Sequence, residues 1–218
     1  MPYEKTAILI CGKMRAGKTT AANYYRDSYE AEVYSLADKL KQLHRTFTGK
    51  LTKNRAWLQL MGQSCRRVFG DDFWVDRLCE QIAKDKPRIF VVDDVRYENE
   101  LERLVNFSNE RGYKVKVLFV KVSLESQIKR KAETLRMSHE SEHFATKLQN
   151  SLDNDDMGVE YEPLEQYVFV VDGNLPMPDY CQELLRIVQP RDLKNEFPGE
   201  ISYECNGDFS YTEEELYG

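Results

Sequence analysis

The chain has 218 residues, a formal net charge of −6 and 41% hydrophobic residues, which suits one domain with a substantial core. The acidic balance argues against a general nucleic-acid-binding protein, because such proteins carry a basic excess. No stretch approaches the ~20 apolar residues of a membrane span, and no secretory signal opens the chain, so a cytoplasmic protein is expected. The five cysteines form no C-x-x-C pair and are expected to be reduced thiols.

A glycine-rich loop from Gly12 to Thr19 is the first motif in the chain. It fits G-x-x-x-x-G-K-[ST], the phosphate-binding loop (P-loop) of nucleotide-dependent enzymes. The apolar run before it predicts a buried strand, and the residues from Thr19 onwards predict a helix. In this motif backbone N–H groups surround phosphate oxygens, Lys18 reaches the β- and γ-phosphates, and the Thr19 hydroxyl ligates Mg²⁺. The sequence therefore predicts a nucleotide site with magnesium.

Apolar segments alternate with segments of helical spacing, which favours an α/β domain with a mainly parallel sheet and helices on both faces. The predicted strands are residues 7–11, 32–36, 89–93, 116–122 and 167–172. Residues 38–84 are too long for a simple crossover and predict a helical insertion over one side of the sheet. Residues 123–165 begin basic and become acidic, which suits a mobile lid; a solvated surface helix and loop is the alternative. A last helix at 179–188 stops before Pro190, and residues 191–218 form an acidic tail.

Two carboxylates, Asp93 and Asp94, stand at the end of the third predicted strand. In P-loop proteins an acidic residue at this position holds Mg²⁺, directly or through water, and the sequence leaves open which of the two does so. Arg96 follows, and a guanidinium here can bind a phosphate through two parallel hydrogen bonds. Pairing of Arg96 with Glu98 or Glu100, and a helix-capping role for Glu100, are the alternatives.

Several segments occur in a characteristic order along the chain. They are the glycine loop, residues 36–41, residues 58–62 with the arginines that follow, Trp74-Val75, residues 94–100 with the pattern D-V-R-x-x-N-E, and residues 138–142. As a set they resemble the deoxynucleoside monophosphate kinases of bacteriophages, from about residue 7 to about residue 188. A more distant likeness is to phosphomevalonate kinase, which has a similar order of elements.

The resemblance implies a P-loop nucleoside-monophosphate-kinase-like fold, with a mainly parallel five-stranded sheet, over residues 1–190. The helical insertion at about 38–84 would bind substrate, the lid at about 123–165 would close over it, and the tail at 191–218 stays outside the likeness. The implied activity is transfer of the γ-phosphoryl group of ATP, with Mg²⁺, to a deoxynucleoside 5′-monophosphate. For a phage-encoded protein the compartment would be the host cytoplasm.

The site residues fall into four expected groups. Those expected to act in catalysis are Lys18, Asp94, Arg96, Arg130 and Arg136. Those expected to bind ATP are Gly12, Lys13, Arg15, Ala16, Gly17, Lys18, Thr19, Thr20 and Asn174. Those expected to bind the acceptor are Asp38, Lys41, Gln63, Arg66, Arg67, Trp74, Arg96 and Glu100, with the register leaving Arg66 and Arg67 as alternatives. The expected metal ligands are Thr19 with Asp93 or Asp94.

Two other function classes stay open at this stage. One is phosphoryl transfer to a non-nucleotide phosphorylated acceptor, which arginines would bind equally well. The other is a nucleotide-dependent switch or assembly ATPase that binds a partner through the acidic tail. The expected partner is a nucleoside monophosphate, with neither nucleic acid nor membrane. The oligomeric state stays open, a homodimer included.

Overall fold

The computed structural model describes residues 4–50, 54–123, 125–126, 146 and 167–188. Its strands are β1 (Thr6–Gly12), β2 (Glu32–Tyr34), β3 (Ile89–Val92), β4 (Lys114–Lys121) and β5 (Val168–Asp172). Its helices are α1 (Lys18–Tyr29), α2 (Asp38–Thr48), α3 (Arg55–Phe69), α4 (Phe73–Asp85), α5 (Glu98–Glu110) and α6 (Met177–Val188).

The strands form one parallel sheet in the order β2-β3-β1-β4-β5. β1 lies at its centre, where Thr6 pairs with both Ile89 and Lys114. A strand covered on both faces must be apolar on both sides, and the continuous run at 7–11 meets that condition. The α/β fold expected from the sequence, with a five-stranded parallel sheet flanked by helices, is confirmed in the described part of the chain.

Helices cover both faces of the sheet, because alternate side chains of each strand point to opposite sides. Ala7 and Leu9 of β1 lie in the core beneath α4 and α5. Ile8 and Ile10 lie in the second core, beneath α1 and α6. The edge of the sheet that carries the carboxyl ends of the strands therefore stays open between the two helical layers, and ligands bind at this edge in such folds.

Three helices, α2 to α4, fill the long connection between β2 and β3. Asn54 caps the first turn of α3 by accepting a hydrogen bond from the Trp57 N–H at 3.1 Å. The buried indole of Trp74 donates to the Gly62 carbonyl at 3.1 Å and so ties α4 to α3. These contacts give the helical insertion expected at 38–84 a defined packing.

Strand β2 is shorter than the prediction of 32–36 and ends at Tyr34. The reason is tertiary, because the Leu36 N–H donates to the carboxylate of Asp94 at 2.7 Å instead of to a neighbouring strand. The backbone thus leaves the sheet two residues early. This turn delivers the start of α2 to the open edge of the sheet.

Nearly all of the predicted lid at 123–165, including Arg130 and Arg136, lies outside the described residues. The same holds for the tail at 191–218. In the part of the chain that the structure describes, no helix is long and apolar enough to cross a membrane.

Candidate active site

The P-loop leaves β1 at the open edge and turns back into α1. Gly12 has φ +141°, and a Cβ there would lie 2.5 Å from the Val120 carbonyl oxygen of the neighbouring strand. Gly17 has φ +107° and caps α1. Both positions need glycine, because an L side chain rarely adopts these backbone angles. The two glycines of the sequence motif therefore have a geometric cause in this fold.

Lys18 is the first residue of α1 and folds back over the loop. Its Nζ donates to the carbonyl oxygens of Gly12 at 2.7 Å and Lys13 at 2.8 Å. The first turn of α1 carries no acidic side chain, so its positive end faces the loop without competition. A positive helix end and a lysine beside a glycine loop are the features that bind anionic oxygens in the P-loop motif.

The P-loop is braced from the far side by the segment after β5. The Tyr180 hydroxyl, on α6, donates to the Gly17 carbonyl at 3.1 Å. Gly173 packs so closely that a Cβ would overlap the Ala16 carbonyl oxygen and lie 2.9 Å from that of Lys121. Sequence analysis gave neither Gly173 nor Tyr180 a role; the only local signal was a glycine directly after a strand end.

Changing Gly173 to alanine is expected to weaken ATP binding at least tenfold and to cost about 1–3 kcal/mol of stability, as overpacking does. The added methyl meets backbone atoms, which cannot rotate away, so the P-loop must move. Isothermal titration with ATP and urea unfolding measure the two effects. Gly62→Ala is the matched control, because its Cβ would lie 3.4 Å from the mobile end of Leu40; unchanged ATP binding in the Gly173 variant would contradict the bracing role.

Asn174, expected at the adenine, forms a link between two strand ends in this structure. Its Oδ1 accepts from the backbone N–H of Ser123 at 3.1 Å and from the Ser123 hydroxyl at 3.0 Å. Its Nδ2 donates to Asp172 at 2.6 Å. The side chain thus holds the residues that follow β4 and β5 together, and the adenine contact stays a prediction.

The carboxylates after β3 make different contacts. Asp94 accepts from the Ser35 hydroxyl at 2.7 Å. It also accepts from the N–H groups of Leu36 at 2.7 Å and Ala37 at 3.3 Å, which fixes the turn into α2. Asp93 instead has a buried Oδ1 for which the residues that the structure describes supply no hydrogen-bond partner. The two aspartates therefore divide into a structural carboxylate and an unsatisfied one.

Asp93 has an electrostatic environment typical of a functional group. Burial, together with the negative charges of Asp94 and Asp38, raises its pKa to about 7. The positive charges of Lys41 and Lys18 oppose this rise. An additional cation would stabilise the ionised form and satisfy the unpaired oxygen.

The chemistry of the donors fits Mg²⁺. The magnesium ion usually keeps several waters and takes one or two protein oxygens plus substrate phosphates. The exposed hydroxyl position of Thr19 and the unsatisfied Oδ1 of Asp93 would supply such oxygens. The described residues contain no cluster of three or more His, Cys, Asp or Glu side chains that could hold a metal by itself.

Of the two arginines predicted to bind the acceptor, Arg66 packs against the start of α5 whereas Arg67 is exposed. The Arg66 Nη2 donates to Glu100 Oε1 at 2.6 Å, and its guanidinium carbon lies 4.5 Å from the centre of the Tyr97 ring. Its buried Nε has no partner in the described part of the chain. The structure thus separates two arginines that the sequence left equivalent, and the exposed Arg96 follows the same strand as Asp93.

The other predicted acceptor residues lie on the helical insertion. Asp38 and Lys41 form an ion pair of 2.8 Å in the first turn of α2. Gln63 lies on α3 with an exposed side chain, while the Trp74 indole is engaged by Gly62. Direct contact of Trp74 with an acceptor would therefore use the ring rather than the N–H.

This chain is similar to known proteins at the level of a sequence family and of solved structures. The family model described as zeta toxin matches residues 2–151. No curated relative matches the chain. Among solved structures, a sugar kinase from a Janibacter species, crystallised without ligand, has 15% identity and a TM-score of 0.47, covering 84% of this chain and 94% of its own. An inferred kinase from Chloroflexus aurantiacus has 16% identity and a TM-score of 0.47, covering 85% of this chain and 99% of its own. The family match spans well over half of the residues of this chain and includes the P-loop, so this chain belongs to the zeta toxin family.

Proposed function

We propose that this protein transfers the γ-phosphoryl group of ATP to a deoxynucleoside 5′-monophosphate. The observation that carries the proposal is the half-buried guanidinium of Arg66, whose buried Nε has no partner among the described residues, beside the turn that follows β3. β3 and β1 are parallel neighbours, so this turn and the P-loop leave the same edge of the sheet. A donor phosphate site and a cationic acceptor site thus lie on one side of the molecule.

The donor side needs little rearrangement to hold a triphosphate. The N–H groups of the P-loop and the first turn of α1 bind phosphate oxygens, and Lys18 moves its Nζ from the loop carbonyls to the β- and γ-phosphates. Thr19 and Asp93 would hold Mg²⁺, which neutralises charge on the phosphates when bound.

The acceptor side needs orientation more than proton transfer. A monophosphate is already an anion, so a strong general base is unnecessary, and positioning plus charge compensation supply most of the lowering of the barrier. Arg66 and Arg96 would bind the acceptor phosphate, and Lys41 adds positive charge near Asp93. Arg130 and Arg136 remain proposed cations for the migrating group.

Aromatic side chains on the insertion support a nucleotide as the acceptor. Phe69 and Phe73 stack with ring centres 4.9 Å apart, and Phe73 meets Trp74 edge to face at 4.9 Å. Phe69 is 65% exposed, which leaves an apolar ring surface at the end of α3. Such rings can stack on a base.

An acceptor panel tests the proposal. The protein is incubated with ATP, Mg²⁺ and each common deoxynucleoside monophosphate, and in parallel with phosphorylated small alcohols, and products are separated by ion-exchange chromatography. Nucleoside diphosphate is expected only from the nucleotide arm. Phosphorylation only of the alcohols would replace the acceptor class, and ADP release without any phosphorylated product would indicate a switch or assembly ATPase instead.

Arg66→Met is expected to raise KM for the acceptor about 10- to 100-fold, since hydrogen bonds to charged groups are worth about 1.5–3 kcal/mol. KM for ATP should change less than twofold. Arg67→Met is the matched control, because Arg67 is the next residue on the same helix and is exposed. Steady-state kinetics of both variants decide the register; a larger acceptor effect in the Arg67 variant would reverse the assignment.

A further inference from the structure

Glu100 has contacts that exceed what a helix cap requires. It is 1% exposed, and its Oε2 accepts the backbone N–H groups of Arg96 at 3.0 Å and Tyr97 at 3.1 Å. Its Oε1 accepts from Arg66, which lies 34 residues earlier, on α3. One carboxylate therefore joins α3, the turn after β3 and the start of α5.

This arrangement buries the negative charge of Glu100 away from the water that would otherwise stabilise it. Burial raises the pKa of Glu100, while the positive charge of Arg66 and the hydrogen bonds it accepts oppose the rise. The backbone N–H groups alone could be capped by an exposed glutamate at the same position of the helix. The burial and the charged partner therefore point to a role for the Arg66 contact itself.

Arg66 is held on two sides. Glu100 binds its Nη2, and the Tyr97 ring lies 4.5 Å from its guanidinium carbon. Its Nε is buried and has no partner among residues 4–50, 54–123 and 167–188. A guanidinium fixed in this way presents its remaining donors in one direction, which lowers the entropy lost when an anion binds.

We propose that Glu100 is a positioning residue. It holds the guanidinium of Arg66 and the turn after β3, which carries Arg96, in fixed positions from which both arginines bind the acceptor phosphate. Both of its oxygens are engaged by protein donors, so it does not contact the acceptor itself. This refines the expectation that Glu100 binds substrate directly. The inference rests on the proposed function, since it assigns the arginines to an acceptor phosphate.

A double-mutant cycle tests the inference. Glu100→Gln, Arg66→Met and the double variant are compared with the wild type for KM of the acceptor, KM of ATP and kcat. Glu100→Gln alone is expected to raise acceptor KM about tenfold with ATP KM within twofold. In the Arg66→Met background the same change should add less than twofold, because Glu100 acts through Arg66.

The controls separate this role from simple structural support. Glu102→Gln, on the exposed side of the same helix, should leave both KM values unchanged. Independent effects of the two changes, equal losses for ATP and acceptor, or no effect of Glu100→Gln would each overturn the inference. If the Glu100 variant does not fold, Tyr97→Leu removes the other restraint on Arg66 and should raise acceptor KM alone; an unchanged acceptor KM overturns the inference.

Measurements on the wild-type enzyme distinguish a failure of the proposed function from a failure of the positioning role of Glu100. The cycle is run with whichever phosphorylated acceptor the wild-type enzyme uses. If that acceptor is not a nucleotide, the proposed function fails, while the coupling of Glu100 to Arg66 is still measured on the acceptor phosphate. If the acceptor is a deoxynucleoside monophosphate and the cycle shows no coupling, only the inference about Glu100 fails.

Discussion

Replacing Lys18 by alanine is expected to lower kcat for phosphoryl transfer by about 10³-fold, the upper range for removing one preorganised charged donor. In the structure its Nζ already lies at the P-loop, 2.7 Å from the Gly12 oxygen. Alanine cannot follow the charge that develops on the transferred group, and no other lysine emerges from the first turn of α1. Single-turnover kinetics with saturating ATP and acceptor measure the loss directly.

The same change should leave the fold mostly intact, because the Lys18 side chain contacts the loop rather than either core. A urea unfolding midpoint close to that of the wild type is the required companion result. Lys84→Ala, on the exposed end of α4, serves as the matched control and should retain full activity. Near-normal turnover in the Lys18 variant would contradict a role of the P-loop lysine in phosphoryl transfer.

Asp93→Asn is the second large change, and activity and stability should move in opposite directions. Activity should fall about 100-fold, within the range for lost charge stabilisation at a reacting phosphate, because an amide is a poorer ligand for a divalent cation. Stability should rise by about 1–3 kcal/mol at pH 8, because the raised pKa means that the folded state disfavours the ionised carboxylate, and a neutral amide avoids that cost. At this pH, above its raised pKa of about 7, the folded protein carries the buried negative charge, which asparagine removes.

Asp94→Asn provides the contrast on the neighbouring residue. Asp94 accepts three hydrogen bonds at the turn into α2, so weakening them should lower stability. Urea unfolding without nucleotide and magnesium, together with a magnesium titration of activity, measures both variants. Loss of stability in the Asp93 variant, or a larger change in magnesium dependence in the Asp94 variant, would show that Asp94 binds the metal and Asp93 supports the fold.

The sequence predicted the position of the P-loop because its requirements are local. Gly12 and Gly17 need particular backbone angles within a few residues of each other, and the strand and helix around them are set by short-range pattern. The three central strands, β1, β3 and β4, are predictable for a related reason, since buried parallel strands are apolar on both faces and stand out in any window. Strand ends were less accurate: β2 stops at Tyr34 because a carboxylate 58 residues away binds the Leu36 N–H.

The choice between neighbouring side chains needed the tertiary structure. Arg66 and Arg67 differ by about 100° around the axis of α3. Only the packing of that helix against Tyr97 and Glu100 decides which one points inward. The need for glycine at position 173 has no local sequence signal, because the Ala16 carbonyl that excludes a Cβ lies on a segment distant in the chain.

By itself, the sequence determined that this protein is an α/β domain with a P-loop at its first strand end, because those features depend on the periodicity of apolar residues and on backbone angles within one loop. The tertiary structure alone decided that Asp93 is unsatisfied while Asp94 fixes a turn, and that Glu100 joins Arg66 to the turn after β3. These distinctions depend on distances between residues that only folding brings together, and on the burial that turns an ordinary carboxylate into an electrostatically strained one.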